Sequence, residues 1–270
     1  MNNLIKTEWL KIKNYRAFWF VFIATALSYP GISFIFKNAY NHLGERKGQA
    51  AQVIKLLLGD PFTFPEVWHT LAYSSSVVVF VPAIVVIMFI TNEYTYKTNR
   101  QNIIDGWSRN QFMTSKLINV LLLTFIITLL YIATSLIIGI ANAQASTSNK
   151  WSLFYYTGLF CLQTFSQLSI AFLIGLLVRK AFISLGIFLF YFLVVENLLV
   201  FWILKDSSIR EFLPFEISDR LIPPPAFFGR LDVDAYQRAL KQMNPHIFYT
   251  VIFTALIWLI CYRINSKRDL

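Results

Sequence analysis

Six stretches of the chain are apolar over nearly their whole length: residues 17–36, 71–90, 117–141, 153–178, 181–204 and 246–262. A helix of about 20 predominantly apolar residues crosses the roughly 30 Å of hydrocarbon in a bilayer. The pattern therefore predicts an all-α integral membrane protein with six transmembrane helices, folded as one domain over residues 1–270. Pro30 and Pro82 fall inside spans, where neighbouring helices or water satisfy the freed carbonyls, so kinks are expected there and not breaks. The first span is rich in Phe and Trp and has no small-residue cleavage site after a short apolar core, which makes it a retained span and not a signal peptide.

Between the spans the pattern changes twice in an informative way. Over residues 4–16, Leu4, Ile5, Trp9, Ile12 and Tyr15 share one helical arc while Lys6, Lys11, Lys13 and Asn14 share the other, with Leu10 and Glu8 as exceptions. This predicts an amphipathic helix lying on the membrane, acting either as an anchor on an anionic leaflet or as a connector to a partner. In residues 91–116, Thr98 or Asn99 is placed to cap a short helix bearing Ile103, Ile104 and Trp107. Gly106 is placed to stop it in a left-handed conformation, and Ser108 with Gln111 forms a capping box for the next helix. If that helix runs from Arg109 to Ala141 its 33 residues span roughly 50 Å, so about 20 Å must project from the membrane. A transverse helix on a projecting stem suits mechanical contact with a soluble partner; a plain interfacial anchor is the alternative.

Composition agrees with the pattern. The chain is 56% hydrophobic, 17% aromatic and only 14% charged, whereas a soluble domain is roughly a quarter charged. The formal charge of +10 would suit nucleic-acid binding on a soluble domain, but its distribution gives it another meaning. Thirteen of the 24 basic residues fall in 1–16, 91–116, 179–180 and 263–270, and the other eleven are spread over the longer segments 37–70, 142–152 and 205–245. Basic density is about twice as high in the first set, which predicts that both termini and residues 91–116 are cytoplasmic. The charge is then a topology determinant, and no nucleic-acid partner is expected. Cys161 and Cys261 lie in apolar stretches, and His42, His69 and His246 have no ligand spacing, so neither a disulfide framework nor a metal site is predicted.

Residues 91–116 resemble the coupling region of ABC-2 type transporter permeases, the membrane subunits of ABC exporters. The resemblance rests on Glu93, Tyr94, Thr98, Arg100, Gln101, Asn102, Ile104, Asp105, Gly106, Ser108, Arg109 and Lys116. It extends to Thr7-Glu8-Trp9-Leu10-Lys11, to Phe64-Pro65-Glu66-Val67-Trp68 and to Leu213-Pro214-Phe215. It implies a permease that forms the substrate pathway as a dimer with a second permease subunit in the cytoplasmic (inner) membrane of a bacterium. It also implies two separate ABC ATP-binding subunits that carry ATP and Mg, with no cofactor on this chain. No Gly-x-x-x-x-Gly-Lys-Ser/Thr loop is present to cradle phosphates, in keeping with a transport subunit that is not itself an enzyme. By resemblance the coupling region, residues 97–113, docks in a groove of the ATPase subunit. Arg100, Gln101, Asn102, Ile104, Asp105, Gly106, Trp107 and Arg109 are the expected contacts. Short re-entrant helices between the fifth and sixth spans are also implied, with residues 209–215 fitting one; a short outer helix is expected near residues 49–58.

Polar residues inside the spans complete the set. Glu196 is the one acidic residue within a span, with Asn197 beside it. A charge at that depth costs about 2.5 to 3.5 kcal/mol on insertion scales, so Glu196 is either a substrate or proton contact or a hydrogen-bonded packing residue. Gln163 and Gln167, four apart, form a polar stripe that either joins helices or lines a pathway. An ion-coupled secondary transporter using Glu196 is the alternative function.

Overall fold

The computed structural model describes residues 16–45, 60–142, 149–205, 207–225 and 233–267, which are helical throughout their long elements with no strand among them. The surface helix expected over residues 4–16 and the outer helix near 49–58 lie outside the described residues, apart from Arg16. Helix α1 (Arg16–Glu45) is followed by α2 (Val67–Ser76), α3 (Phe80–Thr95), the short α4 (Thr98–Ile104) and the long α5 (Arg109–Ala141). Then come α6 (Tyr156–Val178), α7 (Ala181–Ile203), the four-residue α8 (Glu216–Asp219) and α9 (Val233–Lys267). Helices α1, α5, α6, α7 and α9 are each long and apolar enough to cross a membrane, and α2 with α3 passes the same test as a pair bent by 49°, for five to six candidate spans.

The α2–α3 bend corrects the expectation at Pro82. Proline has no N–H to offer the Val78 carbonyl, and that carbonyl instead accepts from Val81 N at 3.0 Å. Bonds of the same tighter i to i−3 kind run from Val78 N to Ser75 O and from Val79 N to Ser76 O, so the helix is interrupted, not merely kinked. At Pro30, by contrast, α1 continues without interruption. Helix α9 begins 13 residues before the predicted span and runs through Pro245, its polar first turns being invisible to a search for apolar stretches.

Helix α6 sits at the centre and packs against α2, α3, α5, α7, α8 and α9. It is apolar around most of its circumference, as a helix surrounded by others must be. Gly175 allows its close approach to α3: a Cβ there would collide with Ile90 Cγ2. Helix α1 packs on α2, α3 and α5 through the stripe Thr25, Tyr29 and Ser33, all buried, while Phe20, Leu27 and Phe34 on its other side are exposed as lipid-facing residues would be. At the end of the bundle remote from α4, aromatic side chains lock the connections together. Trp68 Nε1 donates to the Lys150 carbonyl at 3.0 Å, Tyr131 Oη donates to the Trp68 carbonyl at 2.7 Å, and His69 stacks on Tyr156 with ring centroids 4.0 Å apart.

Candidate functional site

The candidate residues gather at the two ends of the bundle. At the first end, Glu93 near the close of α3 is the organising group. Its Oε1 accepts from Lys116 Nζ at 2.5 Å and its Oε2 from Thr98 Oγ1 at 2.5 Å, with both charged side chains buried. The Lys116 ammonium also lies 4.4 Å from the Phe89 ring and 5.1 Å from the Phe112 ring. A charge pair taken out of water is stable only when its geometry is good and its remaining polar valences are filled. Here the pair, the threonine hydroxyl and two aromatic faces supply that, and they tie α3, α4 and α5 together.

Helix α4 is therefore attached by its root. Neither Thr98 nor Asn99 caps it: Lys97 occupies the capping position with φ 54°, and the Thr98 hydroxyl is turned back to Glu93. The exit matches expectation. Gly106 has φ 93°, in the region open to glycine, and the Ser108–Gln111 capping box is complete, with Ser108 N to Gln111 Oε1 at 2.8 Å and Gln111 N to Ser108 Oγ at 3.2 Å.

The expected contact residues separate on burial. Arg100, Gln101, Ile104, Asp105 and Gly106 are exposed, with Ile104 at 82%, and Trp107 is half-buried. Asn102 is buried inside the fold, and Arg109 turns to α9, donating to the Ser266 carbonyl at 2.5 Å while Asn265 Nδ2 donates to the Arg109 carbonyl at 2.9 Å. Asn102 is thus turned into the fold, while the half-buried Arg109 ties the start of α5 to the end of α9. The same end carries the two-residue turn between α6 and α7, where the Arg179 guanidinium lies 4.4 Å from the Tyr94 ring. Three of the basic segments singled out by charge density thus meet at one end of the bundle.

At the opposite end, residues 207–222 form a plug held by three helices. The helix expected over residues 209–215 is divided: a 3₁₀ turn covers Ser208–Phe212, and Leu213 is extended with ψ 151° because the residue before a proline is pushed out of the helical region. Chain direction is recovered at α8. Glu196 Oε1 accepts from Phe215 N at 2.9 Å and from Glu216 N at 2.6 Å, so the intramembrane carboxylate grips backbone at the start of α8. Two π-helical stretches, Tyr191–Val195 and Leu199–Ile203, flank it in α7. Gln163 and Gln167 donate to Asp219 Oδ1 at 2.7 and 2.6 Å. From α9, Thr250 Oγ1 donates to the Ile217 carbonyl at 3.2 Å, His246 Nδ1 lies 3.1 Å from the same oxygen, and Gln242 bonds Arg220. Arg220 also pairs with Glu216 at 2.9 Å and Glu211 at 3.3 Å. Burial holds the Glu216 carboxyl above its ordinary range against the pull of Arg220.

This arrangement brings Glu196, Gln163 and Gln167 to one short segment, although in the sequence they stand as two separate features. Asn197 is not part of it: its side chain is exposed and its Nδ2 donates to the Phe192 and Leu193 carbonyls of its own helix. Nothing in the sequence sets Asp219 and Arg220 apart from the other charges of residues 205–245; the signal for them is the glutamine pair, whose amide donors need an acceptor from another element.

Helices of this length and apolarity make the chain a multi-pass membrane protein. A family model described as ABC-2 family transporter protein matches residues 4–195, and the chain belongs to that family. It is thus a permease of the ABC transporter kind, a class that works with ATP-binding partner subunits. No curated protein matches the chain. The family assignment does not favour the ion-coupled alternative, and Glu196 Oε1 is taken up by two backbone amides.

Proposed function

We propose that this chain is the membrane subunit of an ATP-driven exporter in a bacterial cytoplasmic membrane. Two permease subunits form the pathway, and α4 with its flanks, residues 97–113, faces the cytoplasm and receives force from two separate subunits that bind ATP and Mg. The observation carrying this reading is the exposed tip of α4. Ile104 is 82% exposed beside Arg100, Gln101, Asp105 and Gly106, on an element whose root is fixed by the buried Glu93–Lys116 pair. A large apolar side chain at the tip of a rigid support is a good anchor for a pocket on a partner, and the attachment at its root passes displacement directly into α5.

The test is capture of an ABC ATP-binding subunit from the source cell, measured by co-purification with the full-length protein. Ile104→Asp places a charge where the anchor enters and is expected to weaken capture about tenfold or more. Gly106→Pro forces φ near −65° where 93° is needed and is expected to leave capture partial but abolish stimulation of ATP hydrolysis. Wild-type levels of capture and stimulation in both variants would overturn the reading.

A further inference from the structure

The α4 end contains a cavity of about 520 Å³ between α4 and the α6–α7 turn. Its walls include Lys97, Arg100, Arg179 and Lys180, together with Tyr94 and Asn99, and no carboxylate. None of the four basic residues takes part in an ion pair among the described residues. Arg179 Nε is buried there without a hydrogen-bond partner while its guanidinium is braced on Tyr94. Lys97 and Arg179 are also the two non-glycine residues with left-handed backbone among the described residues, with φ 54° and 60°. Such conformations are unfavourable for residues bearing a Cβ and gather where a side chain must be delivered to a set place.

The depth of the cavity follows from its second wall. Helices α6 and α7 have 23 residues each, roughly 34 Å at helical rise, against about 30 Å of hydrocarbon. Only Arg179 and Lys180 join them, so the turn has no slack with which to leave the membrane surface and lies at headgroup level. Contact of Arg179 with Tyr94 holds the α4 root at the same level. Next to the lining residues in the chain, Phe182 is 90% exposed and Leu177 and Tyr96 are exposed as well, an apolar flank suited to lipid.

We propose that this cavity binds the phosphate-bearing headgroup of an anionic phospholipid in the leaflet at that end, with its acyl chains laid along the Leu177 and Phe182 side. Four convergent cations supply the attraction for the phosphate. The apolar flank distinguishes a lipid from a soluble anion. This site requires only that the chain span the membrane, and does not rest on the ATPase-coupling reading.

Native mass spectrometry of the delipidated full chain in detergent, titrated with dioctanoyl phosphatidylglycerol or dioctanoyl phosphatidylcholine, tests the site. Phosphatidylglycerol is expected to bind at about tenfold lower concentration or better. Arg179→Gln with Lys180→Gln is expected to remove that preference. So is Lys97→Gln with Arg100→Gln, whose side chains are exposed and whose replacement leaves the core untouched. Arg263→Gln with Lys267→Gln removes as much charge from exposed positions in the last turns of α9, outside the cavity lining, and is expected to keep the preference. Equal binding of the two lipids, or equal loss in the Arg263 and Lys267 variant, would overturn the proposal. Displacement of the lipid by inorganic phosphate at the same concentration would overturn it also, by identifying a soluble-anion site.

Discussion

The two ends of the bundle each fix a short helix with a buried glutamate, and they neutralise that glutamate differently. At the α4 end, Glu93 meets a full cation, Lys116, and one hydroxyl, Thr98. At the other end Glu196 meets no cation among the described residues, and it accepts from the backbone N–H groups of Phe215 and Glu216. A charge pair resists separation because either partner left alone is a bare buried charge, whereas amide donors freed from a carboxylate can find water or another acceptor. The difference makes α4 a strut that moves with α3 and α5, and makes residues 207–222 a plug that can part from α7 at smaller cost. The family model ends at residue 195, just before Glu196, so the strut lies inside the matched region and the plug beyond it.

The largest effect expected from this contrast is at Lys116. Lys116→Ala should destabilise the protein by about 3 to 5 kcal/mol, since Glu93 stays buried without its cation. Glu93→Gln combined with Lys116→Met should recover most of that loss in thermal unfolding in detergent. A Lys116→Ala cost no greater than that of Glu196→Ala would erase the distinction between the ends. Next in size, Glu196→Ala should cost about 1 to 3 kcal/mol by leaving two amides without their acceptor, whereas Glu196→Gln keeps a carbonyl oxygen in place and should cost far less. Hydrogen exchange should localise the Glu196→Ala effect to residues 207–222; faster exchange throughout α6 would mean that the plug is part of the core. Smallest is the joint between α4 and α5. Ser108→Ala removes the cap and should cost about 1 kcal/mol. Its exchange signature belongs in the first turn of α5, and a change spread over α3 would contradict the strut.

Much of the fold was legible because membrane helices are written in long apolar runs. The extent of α5 and its capping box followed from Ser108, Gln111 and the unbroken run to Ala141, and Gly106 marked the turn before it. Local signals of this kind act within four residues, so the chain displays them. The polar starts of α9 and the interruption at Pro82 were hidden, the first because polar residues carry no membrane signal and the second because sequence shows a missing N–H but not whether neighbours will compensate. Pairings across the bundle were also hidden. Glu93 and Lys116 are separated by 23 positions, and Gln163 and Asp219 by 56, distances over which no periodicity connects them. Among the proposed contacts, exposure separated Ile104 from Asn102 although both lie on the same short helix.

The turn of Arg179 and Lys180 also governs how the protein is made. Helices joined by two residues cannot move far apart or settle at unrelated depths in a bilayer, because the connection has no slack. Helices α6 and α7 therefore form a helical hairpin whose bend carries two adjacent cations. Since α6 touches six other elements, the central pillar of the finished structure is made after α1, α3 and α5, which have to hold a place for it and for the partner tied to it.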